Sequence, residues 1–182
     1  DALVKFQQVH DRSKLAIASY NVAYAQLTLW RIPEALAALD AYDKRARGIG
    51  QGTLDPLAVA LRAAAHSVAG QEAQARAALG KVGIASSMSA LAEVVLAARA
   101  QQWPAVKERM IQRALELDQL AGGPRGLLDT LTAWTASHLG GAGAEVSAVR
   151  LFRETSPDAL RAAWPEVVAF VERVEAGPRP PA

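Results

Sequence analysis

The stretch 19–42, SYNVAYAQLTLWRIPEALAALDAY, decides how the chain is read. It spells two helices joined by a tight bend. Tyr20, Tyr24, Leu27 and Leu29 are the apolar residues of the first helix, and Ala35, Leu36 and Leu39 face inward from the second. Pro33 has no N–H and a φ already near the helical value, so it is tolerated only where a helix begins. That places the bend at Trp30-Arg31-Ile32. A helical hairpin with one apolar side cannot bury that side alone, and the expected architecture is a stack of such hairpins.

Bulk composition supports an all-α chain. Hydrophobic residues make up 51% and charged residues 21% of 182 positions, enough for a core and contrary to disorder. Alanine, the best helix former, is abundant, and no alternating Val/Ile run marks a strand. Basic residues number 20 against 18 acidic, so the pI near 9.2 reflects a small excess rather than a nucleic-acid surface. The densest basic cluster, Lys44-Arg45-Arg47, sits at a helix end where cations favour the dipole. No direct nucleic-acid contact is expected. With no cysteine, disulfides and thiolate metal sites are excluded. No apolar run is long enough to span a membrane, and a cytoplasmic location fits. The absence of an initiator Met and of a signal peptide, with helical patterning from the first residues, is the expectation for a fragment of a longer protein.

Outward from the organising hairpin, residues 1–10 place Leu3, Phe6 and Val9 on one face, as the second helix of an earlier hairpin, with Asp11-Arg12-Ser13 as connector. The first helix of the full hairpin then runs from about Lys14 to Leu29 and its return from about Pro33 to Ala46. Gly48, Gly50 and Gly52 form a loop, and Asp55-Pro56 starts a helix with Leu57, Leu61, Ala64, Ala65 and Val68 inward. Gly70 breaks it, and residues 71–79 return. Ser86, Ser87 and Ser89 offer N-caps for a third hairpin, with Leu91, Val94, Val95 and Ala98 inward, a bend at Gln101-Gln102-Trp103 and Pro104 opening the return. That return uses Val106, Met110, Ala114 and Leu117. A fourth hairpin follows Gly122-Gly123-Pro124, with Leu127, Leu128, Leu131, Trp134 and Ala136 in its first helix, a bend at Gly140-Gly141 and a weak return through Val146, Val149, Leu151 and Phe152. Pro165 breaks the last element after Trp164. Residues 1–176 read as one domain and 177–182 as a loose tail.

Anchored on their bends, the hairpins align. Ala35 and Ala75 hold the same place 40 residues apart, and Val106 holds it 31 further on. This pattern resembles tetratricopeptide repeats. Val22-Ala23, Ala35 and Leu39 match in the first hairpin, with Asn21 also typical and Trp30 standing where Gly is usual. Ala63, Gly70, Ala75 and Leu79 match in the second, with Arg62 at a normally apolar site. Trp103, Val106 and Met110 match in the third, and only Gly140 and Val146 in the fourth. The resemblance implies a right-handed α-α superhelix of three to four hairpins with a C-terminal capping helix. The long form of the repeat is similar to the tetratricopeptide regions of large bacterial transcription activators, LuxR-type ATP-dependent regulators and antibiotic-pathway activators among them. It implies an effector- or partner-binding module.

Chemistry-bearing residues are sparse. His10, His66 and His138 lie far apart without a second ligand at helical spacing, so no metal site is expected, nor any cofactor. Glu116 and Asp118 lie on opposite sides of a helix, and Glu34, Glu72 and Glu166 occupy first turns. No Gly-rich phosphate loop precedes a Lys-Ser or Lys-Thr pair. The expected function is a protein- or peptide-binding scaffold and not an enzyme. Self-association and small-molecule effector binding are the alternatives. In stacked hairpins the first helix of each pair lines the concave side. That predicts a groove of Tyr20, Tyr24, Leu27, Thr28 and Arg31, followed by Ala60, Ala64 and Ser67. Arg31 is the residue able to grip a carboxylate of an acidic partner. The alternative is that both tyrosines fill a packed inner face. All four tryptophans are expected to pack between hairpins, unless one stacks on a ligand.

Overall fold

The computed structural model describes residues 2–48, 55–140 and 157–176, with side chains described over 14–48, 55–140 and 158–176. Among these residues every element is a helix and no strand occurs. In chain order they are α1 (Ala2–Thr28), α2 (Ile32–Gly48), α3 (Pro56–Val68), α4 (Glu72–Leu79), α5 (Ser87–Arg99), α6 (Trp103–Gln112), α7 (Ala114–Leu117), α8 (Gly122–His138), α9 (Pro157–Ala163) and α10 (Pro165–Ala176).

Three bends set the hairpins and share one hydrogen-bond pattern. Trp30, Gly70 and Gln101 all have left-handed backbone, with φ of 60°, 75° and 57°. In the first bend, Trp30 N donates to Leu27 O (3.0 Å) and Arg31 N to Gln26 O (2.9 Å). Gly70 and Gln71 repeat this on Ser67 and His66, and Gln101 and Gln102 repeat it on Ala98 and Ala97. This paired closure satisfies the last carbonyls of one helix while reversing the chain. The return helix then begins identically, with Ala35, Ala75 and Val106 each donating to the carbonyl four residues back at 2.9 Å. These are the three positions aligned from sequence. Pro33 and Pro104 are the second residues of α2 and α6, where no N–H is missed.

Helix starts follow their local chemistry. Asp55 Oδ1 accepts from Leu57 N at 2.9 Å, and Ser86 with Ser89 form a reciprocal cap at the head of α5. Three expectations need correction, and a fourth falls outside the described residues. Residues 11–13 do not connect two helices, because α1 runs unbroken through them: the segment holds neither Gly nor Pro, and Asp or Ser costs a helix interior only some tenths of a kcal/mol, about 0.7 at most. Leu57 and Leu29 are about half exposed instead of facing inward. The return from Pro104 is not one helix. It breaks at Arg113, whose guanidinium reaches back to Glu93 on α5 (3.0 Å) and to Glu116 (3.4 Å), and Ala114 is left exposed. The expected fourth return, with Val146, Val149, Leu151 and Phe152, and Gly50, Gly52 and Gly141 in the loops, lie outside the described residues.

The long-range packing does more than join neighbours. α3 packs on α5, and α8 packs on α5, α6 and also α1, so α8 meets the first hairpin. At that junction Gly123 of α8 lies against the carbonyl of Thr28 and the ring of Trp30, so closely that no Cβ would fit. Trp30 is 1% exposed, and burying its indole offsets the roughly 1–2 kcal/mol that left-handed backbone costs a residue with a side chain. α3 and α5 are consequently enclosed on nearly all sides: Ala60, Leu61, Ala64, Val68, Leu91, Val94 and Val95 are inaccessible. The chain end forms a cap broken as expected at Trp164, with Pro165 opening α10. Arg99 staples it down, donating to Val68 O at the end of α3 and to Ala163 O at the end of α9 (2.7 Å), with its guanidinium 4.4 Å from the Trp164 ring centroid. Trp134 of α8 packs on Trp164 (6.2 Å) and Phe170 (5.5 Å) of that cap and on Trp103 (4.9 Å) of α6. Thus the tryptophans pack between elements.

Candidate functional site

Of the eight positions assigned to a groove, four are core. Leu27, Ala60, Ala64 and Ser67 are at most 1% exposed, and the Ser67 hydroxyl is satisfied internally by Ala64 O at 2.8 Å. The correction has two causes: α3 is packed by α5 and α4 and also meets α2 and α1, and α8 closes on the end of α1. Tyr20 and Tyr24 are half-buried and pack against this core. The Tyr20 ring meets Tyr42 edge-on at 6.3 Å, and the Tyr42 hydroxyl donates to Asp55 Oδ2 at 3.1 Å. Burial, followed by the Asp55 charge, pushes the Tyr42 hydroxyl up to about 12, and the same causes raise Tyr20. Thr28 donates its hydroxyl to Ala25 O (2.7 Å). Arg31 is exposed, and its guanidinium has no hydrogen bond or ion pair among the described residues. Arg62, the misfit at an apolar repeat position, holds α3 to α2 through Asp40 (2.7 Å) and Asp43 (2.9 Å).

The opposite side of α1 is different. Leu15, Ala18, Val22, Ala25 and Leu29 are all exposed, with Leu15 at 53%, Val22 at 49% and Leu29 at 52%. Their spacing of three and four residues is the a/d repeat of a helix-pairing seam. Ala16, Ala23 and Leu27, on the other face of the same helix, serve the core. A surface helix ordinarily has one apolar stripe; α1 has two, and among the described residues only one is packed against another element. The signal was present in the sequence as this 15-18-22-25-29 series. Only Tyr20, Tyr24, Leu27 and Leu29 were followed along this helix, and the second series was not traced. Cations stand at both ends: Lys14 precedes Leu15, Arg31 follows Leu29, and residues 12–33 contain no carboxylate.

Two clefts lie elsewhere on the surface. One, of about 480 Å³, lies between α2 and α9 beneath the second bend and is lined by Ile32, Pro33, Leu36, Ala69 and Ala163 among others. Its one carboxylate, Asp40, is the partner of Arg62. The other, of about 380 Å³, lies between α6 and α8, with Met110, Ile111 and Leu139 around Lys107. The histidines are apart: His66 bonds Gln71 (2.5 Å) and His138 stacks on Trp103 (4.3 Å), while the His10 side chain lies outside the described residues. Among the described residues no three His, Cys, Asp or Glu side chains converge as a metal cradle, and no helix is long and apolar enough to cross a membrane.

No protein-family model, curated protein or solved structure matches the chain.

Proposed function

We propose that the chain is a protein-binding scaffold of the helical-hairpin repeat class, and that it engages its partner through the outer face of α1. One observation carries the reading: a five-residue apolar seam, in helix-pairing register, left on the surface of a helix whose other face is already packed. The tetratricopeptide resemblance adds to it, because the bend residues Trp30, Gly70 and Gln101 and the aligned Ala35, Ala75 and Val106 recur with one backbone pattern. On this reading the repeat is a compacted one, its inner groove filled and its binding surface moved to the outside. The role is non-catalytic, and a place in a cytoplasmic bacterial regulator rests on the repeat resemblance alone. A second reading, small-molecule effector binding, is favoured by the α2–α9 cleft, whose volume lies in the range that holds ligands.

The test is site-specific photocrosslinking in the native host. A crosslinker at position 22 should recover a discrete partner, whereas one at Lys81, exposed on the far side of the second hairpin, should not. Equal, diffuse recovery from both positions would refute the assignment of the α1 face.

A further inference from the structure

We infer that the partner of this face is an amphipathic α-helix with acidic residues near both of its ends; the inference rests on the reading of α1 as the docking surface. The seam from Leu15 to Leu29 extends for about 21 Å at the helical rise per residue, a length that four turns of a partner helix would match. The small side chains of Ala18 and Ala25 alternate with Leu15, Val22 and Leu29, leaving holes into which large apolar knobs of a partner fit. A helix laid along the seam has the exposed guanidinium of Arg31 near one of its ends and the ammonium of Lys14 near the other. Neither side chain has a hydrogen bond or ion pair among the described residues, and the nearest carboxylates in sequence are Asp11 and Glu34, each three residues away and outside the seam.

The same charges argue against a second copy of this chain as the occupant. Parallel pairing of two α1 helices sets Lys14 against Lys14 and Arg31 against Arg31. Antiparallel pairing brings the Lys14 end of one copy to the Arg31 end of the other. In either arrangement cation meets cation, and like charges placed together select against a partner. An acidic-ended helix turns both contacts favourable.

The probes are two synthetic helical peptides of about 20 residues, matched to the seam length, with Leu at a and d positions. One carries Glu at the flanking positions of its first and last turns, the other Lys. Binding is read by fluorescence anisotropy of the labelled peptide, and self-association by sedimentation equilibrium. At low salt the Glu-ended peptide should bind about fivefold more tightly than the Lys-ended one, as two exposed ion pairs allow. The preference should vanish near 1 M salt, where screening reaches about 3 Å. Lys14→Glu with Arg31→Glu should reverse it, and Val22→Asp should abolish binding of both peptides while far-UV circular dichroism stays unchanged. Equal binding of both peptides at low salt, lost in Val22→Asp, would keep α1 as the surface and overturn the acidic partner. Self-association sensitive to Val22→Asp would make a second copy the occupant and also overturn it. Failure of both peptides to bind a monomeric protein would overturn the surface itself.

Discussion

Gly123→Ala tests the closure of α8 onto the first hairpin. A Cβ at position 123 would stand 3.1 Å from the Thr28 carbonyl carbon and 3.2 Å from Trp30 Cε2, and closer still to the Thr28 oxygen. The first obstacle is backbone at the end of α1 and the second a tryptophan that is 1% exposed, so neither can swing aside. Overpacking of this kind costs about 1–3 kcal/mol, and with backbone as the obstacle the upper half applies. Alanine returns some of this through helix propensity, about 1 kcal/mol at most and less in a first turn. The net expectation is a loss of roughly 1–2 kcal/mol, which lowers Tm by about 2–8 °C for a chain of this size. Thermal and urea unfolding followed by circular dichroism at the helical band would measure it. Gly83→Ala is the control: a Cβ there meets nothing within 4 Å, and stability should stay within about 0.5 kcal/mol. In an open stack of hairpins position 123 would be unobstructed, and alanine would stabilise by about 0.4–1 kcal/mol. The sign of the change thus separates the two architectures, and a Gly123→Ala protein at least as stable as wild type would refute the α1–α8 contact.

Gln101→Gly should stabilise by about 1 kcal/mol in urea titration, because the side chain is exposed and φ is 57°; a loss of stability would mean the bend is not left-handed. Leu39→Ala should cost roughly 2–5 kcal/mol, since the side chain is inaccessible in the core, and a change within about 0.5 kcal/mol would place α2 in a different register. The raised Tyr42 hydroxyl makes stability fall at high pH. The folded state favours the protonated phenol, so this contribution is complete below the ordinary value of 10.0 and is lost as pH climbs toward about 12. Ultraviolet titration should show one tyrosine ionising late, in step with unfolding, and Tyr42→Phe should flatten the alkaline loss; an unchanged profile in Tyr42→Phe would assign that loss elsewhere.

The features legible in the sequence were those governed by interactions within about four residues. Pro33, Pro104 and Pro165 fixed helix starts because a missing N–H is harmless only there, and Asp55 and Ser86 fixed two more by capping. Gly70 marked its bend as a helix breaker, and the bends at Trp30 and Gln101 were placed by Pro33 and Pro104 just after them, even though neither bend residue is glycine. What periodicity could not choose was the face. α1 carries Ala16, Ala23 and Leu27 on one side and Leu15, Val22 and Leu29 on another, and both series satisfy helical spacing. α3 is so rich in alanine that any face could be inner or outer. The choice was made by packing between elements: α3 is enclosed by α5, α4, α2 and α1, and Gly123 lets α8 approach the end of α1. Burial depends on those distant contacts, whereas helix formation depends on hydrogen bonds four residues apart. By itself, then, the sequence determined an all-helical chain and where its helices turn; only the tertiary packing decided that Ala60, Ala64 and Ser67 are core and that Leu15, Val22 and Leu29 meet solvent.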